Sequence, residues 1–100
     1  MLLEPAVVAD IKSSREAGRL ILSVHVYAGR SQALTWRLHA EVRSRSGHSI
    51  TQQSGLTNGL QTAPVCTTAF NEDVVGVVQL EVSEDQVQLA HLNLKLGPQA

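Results

Sequence analysis

The sequence predicts an all-β fold, two packed sheets made from about seven antiparallel strands, and three observations predict it. Apolar and polar residues alternate with a period of two in several stretches, as in strands that bury one face. Clusters of Gly, Asn, Asp and Ser separate these stretches. Helical periodicity is weak throughout.

The elements follow in order along the chain. Val7, Ala9 and Ile11 suggest a first strand; Lys12 to Arg19 is polar, with a turn marked by Gly18. Leu20, Leu22, Val24 and Val26 form a clear apolar face, with Ser23, His25 and Tyr27 opposite. Ala28 to Gln32 reads as the turn into the strongest strand, in which Leu34, Trp36, Leu38, Ala40 and Val42 alternate with Thr35, Arg37, His39, Glu41 and Arg43. Ser46-Gly47 ends it. Ser49 to Ser54, rich in Ser, Thr and Gln, suits an edge strand centred on Ile50. Gly55 and Asn58-Gly59 punctuate the next connection, and Asn-Gly is a hairpin signal. Leu60 to Phe70 offers one short strand, with Pro64 at its edge or outside the ladder. Asn71-Glu72-Asp73 is a turn, Val74 to Val82 a strand, and Ser83-Glu84-Asp85 a turn. In the last strand Val87 and Leu89 share one parity and Leu92, Leu94 and Leu96 the other, which predicts a β-bulge near Ala90-His91. Gly97-Pro98 ends it. These elements make an immunoglobulin-like β-sandwich, with residues 1–100 as one domain and a small barrel as the structural alternative.

Composition narrows the function. The chain is 43% hydrophobic and 17% charged, a globular balance. Tyr27, Trp36 and Phe70 are its three aromatics, so Val, Leu, Ile and Ala must fill the core. A net charge of −1 argues against general nucleic-acid binding. The charge is uneven: residues 1–50 hold seven Lys/Arg against four Asp/Glu, and residues 51–100 hold one against five. No apolar run of about 18 residues is present to insert in a membrane. Met1-Leu2-Leu3-Glu4-Pro5 is too short and too acidic for a signal peptide, so an exported form would be the mature chain with an added Met. Cys66 is the lone cysteine, allows no internal disulfide, and is expected to be a small buried hydrophobe.

No nucleophile elbow such as Gly-x-Ser-x-Gly occurs, and Cys66 lies in no reactive context, so no catalytic residue is assigned. The four histidines lack a paired metal-ligand spacing; His25 and His39 are expected to be solvated or singly hydrogen-bonded, and no metal or cofactor is implied. One surface feature stands out. Arg37, His39, Arg43 and Arg45 share one parity of the Trp36 strand, with Glu41 among them and His48 beyond the turn. Lys95 faces outward on the last strand if Leu94 and Leu96 face inward. Such a stripe is either a solvated face that keeps the chain soluble and unpaired, or an electrostatic platform for an acidic or polar extended partner.

The segment Val42 to Gly55 resembles the middle of the curli assembly inhibitor family, the CsgC/CsgH type, and more closely its CsgH branch. The likeness lies in a strand ending Arg45-Ser46-Gly47, followed by Ser49, Thr51, Gln53 and Gly55; the alternating strand before it and Ala90-x-Leu92-x-Leu94 extend it from about Leu20 to Gly97. Ser54 and Thr57 stand where the family often has a glycine and an aromatic, and the Cys-x-Cys pair of the CsgC branch is absent. The resemblance implies a monomeric periplasmic immunoglobulin-like domain that keeps the unfolded curli major subunit from polymerising. Arg37, His39, Arg43, Arg45 and Lys95 would then attract the subunit. The competing reading is a structural or adhesive immunoglobulin-like module of a bacterial surface protein. A carbohydrate-binding module is disfavoured by the scarcity of aromatics.

Overall fold

The computed structural model describes residues 7–45 and 47–97, so the leader reading of residues 1–5, Ser46 and Pro98 lie outside the described residues. Seven strands form two antiparallel sheets: β1 (Val8–Glu16), β2 (Arg19–Tyr27), β3 (Leu34–Ser44), β4 (Gly47–Thr57), β5 (Cys66–Asn71), β6 (Val75–Glu84) and β7 (Val87–Leu96). One sheet has the order β1-β2-β5 and the other β4-β3-β6-β7. The described residues contain no helix. The result is the all-β sandwich that the alternation predicts.

Its core is where the alternating faces meet. Leu20, Leu22, Val24 and Val26 of β2 face Leu34, Trp36, Leu38, Ala40 and Val42 of β3 and Val78, Leu80 and Val82 of β6, and all are buried. Burying each Leu or Val fully contributes about 1.5–3 kcal/mol. The outer strands complete the layers with partly buried Ala9, Ile11, Leu92, Leu94 and Leu96.

Four local expectations are corrected by pairing. β1 runs on through the polar stretch to Glu16, because β2 offers a partner for every residue from Val8 to Glu16. The hairpin closes at Ala17 (φ 52) and Gly18 (φ 78), both left-handed, which matches the twist of the flanking strands. The turn between β6 and β7 has the same form at Asp85 (φ 50) and Gln86 (φ 68), so Ser83 and Glu84 belong to β6. Gly55 lies inside β4, opposite Trp36. Asn58-Gly59 makes no hairpin, since β4 and β5 belong to different sheets. That crossover is tied to the β2–β3 loop instead, where Ala28 N donates to Gly59 O at 2.8 Å and Gln32 N to Asn58 O at 3.2 Å.

The bulge is present. Val82 pairs with Ala90 but Ser83 with Gln88, which leaves Leu89 as the extra residue of β7. It restores the phase so that Ala90, Leu92, Leu94 and Leu96 all point inward, leaving Val87 and Leu89 exposed.

Cys66 is buried, as a small hydrophobe would be, and it also crosses the open side of the sandwich: its thiol donates to Gln53 Oε1 of β4 at 2.7 Å. Burial pushes the thiol pKa up from 9.0. The folded chain therefore holds this proton where the unfolded chain has lost it.

At Gly76 the backbone has φ +154, and a Cβ there would collide with the Glu41 carbonyl oxygen and stand 2.7 Å from Val42 Cα. Gly76→Ala should lower stability in urea unfolding by on the order of 3 kcal/mol. A Cβ at Gly55 would stand 3.0 Å from the Trp36 ring. The ring can shift slightly, so Gly55→Ala should cost about 1–2 kcal/mol. Equal losses would contradict the difference between a backbone and a side-chain obstacle. The stability contributed by the protonated thiol is complete below its unfolded pKa and is lost as pH rises past 9.0. The stability difference between wild type and Cys66→Ala should therefore shrink in alkaline solution; a pH-independent difference would show that the thiol ionises alike in both states.

Candidate functional site

The outer face of the four-stranded sheet is built from the residues of β3 that do not enter the core. Register lays them in rows across the sheet. Ser54, Arg37, Glu81 and His91 form one row; Gln52, His39, Gln79 and Asn93 form the next. Ile50, Glu41, Val77 and Lys95 form a third, and His48, Arg43 and Val75 a fourth. Neighbouring strands lie about 4.8 Å apart, and the first and fourth rows are six residues, roughly 20 Å, apart along β3.

Four of the five residues singled out in the sequence, Arg37, His39, Arg43 and Lys95, share this face. Arg45 does not join them. It follows β3 in the turn to β4, where its backbone N donates to Asp73 Oδ2 at 3.1 Å and its Nε lies 3.9 Å from the same oxygen. Its parity would have aimed it at the face only if β3 had continued. β3 ends at Ser44.

The face is mixed in charge rather than uniformly basic. Glu81 stands directly opposite Arg37, and Glu41 lies between the rows of His39 and Arg43, 3.4 Å from His48 Nε2. Among the described residues no carboxylate reaches ion-pair distance of Arg37, Arg43 or Lys95. Each such exposed cation contributes little to stability, and their field remains available to an approaching anion.

At the centre lies a shallow hollow of about 610 Å³ bordered by Arg37, His39, Gln52, Ser54, Gln79 and Glu81. Gln52 Nε2 and His39 Nδ1 hydrogen-bond across it at 3.1 Å. Reasoning from single strands missed the row of Gln52, His39, Gln79 and Asn93. The outward parity of Gln79 was visible, but only the pairing of four strands lines up the amides. The hollow offers hydrogen-bond donors and acceptors to an extended polar chain, and it lacks the apolar depth of a small-molecule pocket.

The other sheet contributes less. His25 lies on its outer side, opposite the apolar parity, yet it is buried, stacked on Tyr27 with ring centroids 5.6 Å apart, and its Nδ1 finds no hydrogen-bond partner among the described residues. The sequence expectation of an outward-facing ring did not extend to this burial. The described residues contain no cluster of three or more His, Cys, Asp or Glu able to hold a metal ion. No helix among them is long and apolar enough to cross a membrane.

No protein-family model matches the chain, and no curated protein matches its sequence. Comparison with solved structures does find similarity. The solution structure of CsgH from R. palustris aligns with a TM-score of 0.67 at 19% identity, covering 89% of this chain and 91% of that one. The E. coli curli protein CsgC aligns with a TM-score of 0.68 at 16% identity, covering 95% and 100%. Agreement of this extent at such low identity reflects strand order and packing, and it does not separate the two branches. The chain has the fold of the CsgC/CsgH type.

Proposed function

We propose that this protein is a periplasmic, chaperone-like inhibitor of curli subunit polymerisation, and that it engages the unfolded subunit through weak electrostatic and polar contacts on the outer face of the four-stranded sheet. The observation that carries the reading is the set of three cations, Arg37, Arg43 and Lys95, held on one face without a carboxylate at ion-pair distance among the described residues. The shared fold with a curli protein supports placing that face in curli assembly.

The physics suits the task. A subunit that must later be released cannot be gripped in an apolar cleft. Long-range attraction raises the encounter rate, while exposed polar contacts keep each complex short-lived. His39, Gln52, Gln79 and Asn93 supply such contacts beside the cations. The role assigned to Arg45 is a more distant one, at the end of the sheet beside Asp73.

The test is fibre growth followed by dye fluorescence, with this protein far below equimolar to the subunit. The wild type should lengthen the lag phase. An adhesive or structural module would leave it unchanged. Arg43→Glu with Lys95→Glu should abolish most of the lengthening while leaving the fold intact, since their cross-strand neighbours are His48 and Val75 for the first and Val77 for the second. Arg37 is a poorer choice, because reversal would set two carboxylates opposite each other at Glu81. Raising ionic strength from about 0.1 M to about 1 M shortens the screening length from about 10 Å to about 3 Å and should weaken the wild-type effect. Inhibition that ignores both changes would remove the electrostatic mechanism.

A further inference from the structure

The sandwich has four strand edges, and three of them are guarded. β1 carries Asp10, Lys12, Arg15 and Glu16. β5 is only six residues long and follows Pro64. β7 bears Lys95 and is broken by the bulge at Leu89. Charges, proline, short length and bulges are the devices that keep an edge from pairing with another chain.

β4 has none of them. Its eleven residues, Gly47–Thr57, include no Lys, Arg, Asp, Glu or Pro. Its register against β3 is unbroken from Leu34↔Thr57 to Ser44↔Gly47. Eight of the eleven residues are exposed, which leaves the strand open along most of its length. In an antiparallel ladder every second residue turns its N–H and C=O away from its partner, so β4 presents about five residues' worth of unpaired backbone groups. Gln52 and Gln53 add side-chain amides, which stack into hydrogen-bonded ladders against other amides in stacked strands.

We infer that β4 is a pairing edge, on which an extended, weakly charged segment rich in Gln, Asn, Ser and Gly adds as a fifth strand of the four-stranded sheet. The inference rests on the reading of this protein as an inhibitor of amyloid subunit assembly and names where the subunit binds. Backbone pairing supplies affinity without demanding a sequence, and the alternate side chains of the guest supply selectivity. Charge selects the guest over a second copy of this chain. Arg37 and Arg43 sit on β3 beside Ser54 and His48 of β4. A strand added to β4 lies two strand spacings from them, about 10 Å, within reach of their field at about 0.1 M salt. A polar guest with occasional acidic residues is drawn in, whereas a second copy would bring the same cations. The guest then holds one face of its own backbone against β4, unavailable to a growing fibre.

Ile50→Lys with Ser54→Lys places two charges on this edge, both pointing to the outer face. The edge and the face then predict opposite results. If β4 pairs with the subunit, lag lengthening should fall by about fivefold or more, because edge lysines block strand addition. If contact is by the basic face alone, two more cations should preserve or strengthen inhibition, and that result overturns the inference. An unchanged urea midpoint keeps the comparison between folded proteins. A second measurement needs no variant: on mixing wild type with freshly denatured subunit, amide exchange should slow in β4 and not in β1 or β7. No added protection in β4, or a wild type that sediments alone as a dimer protected at β4, overturns the inference. A wild type that fails to lengthen the lag removes the inhibitor reading itself, and this one with it.

Discussion

Alternation along β3 is the constraint from which the rest of the structure follows. Leu34, Trp36, Leu38, Ala40 and Val42 must leave water together, so they face β2 across the sandwich, and the residues between them are driven to the outer side. β3 is also flanked on both sides, by β4 and β6, with nearly all of its residues paired twice. A one-residue slip of β3 against both neighbours would bury Arg37, His39, Glu41 and Arg43 and expose five apolar side chains. The same hydrophobic burial that stabilises the core therefore holds the register, and the register places every residue of the polar face.

Crowding at a few backbone positions sharpens this arrangement. Gly76 lets β6 lie against Glu41 and Val42 where any side chain would collide, and Gly55 leaves room for the Trp36 ring beneath β4. Trp36 is the largest residue of a core otherwise made of Leu, Val and Ala, and it lies towards the β4 side. β4 itself turns Ser49, Thr51, Gln53, Gly55 and Thr57 inward and contributes hardly any aliphatic surface. Its attachment comes from the ladder with β3 and from the Cys66–Gln53 hydrogen bond. An edge held mainly by backbone bonds, polar on its inner face, with exposed Ile50 and Leu56 on its outer face and no Lys, Arg, Asp or Glu, differs in kind from the three other edges.

The polar face and the open edge belong to one surface. In the proposed reading, cations on β3 and β7 would extend attraction beyond contact distance, and β4 would offer contact once a chain had arrived. Glu41 and Glu81 moderate the field of the face, which suits transient engagement better than tight binding. The likeness to CsgC and CsgH, strong in backbone and slight in sequence, is what such a design allows: the sandwich needs only alternation and turns, while the surface is free to vary.

Much of this was legible from the residues alone. The inward parity of β2, β3 and β6, the turn at Gly18, the polar edge strand after Gly47 and the phase change in the last strand are local patterns, because a side chain's face is set by its neighbours two positions away. The limits of β1, the crossover at Asn58-Gly59, the burial of His25 and the position of Arg45 were not legible. Each depends on which strands lie side by side: β2 extends β1, a change of sheet replaces a hairpin, and Asp73 meets Arg45 from another element. Sequence determined which parity of β2, β3 and β6 is dry. Only the tertiary structure decided that Arg37, Arg43 and Lys95 share a face with a row of amides, and that β4 is left as an unguarded edge, because pairing joins residues far apart in the chain through backbone groups that every residue carries.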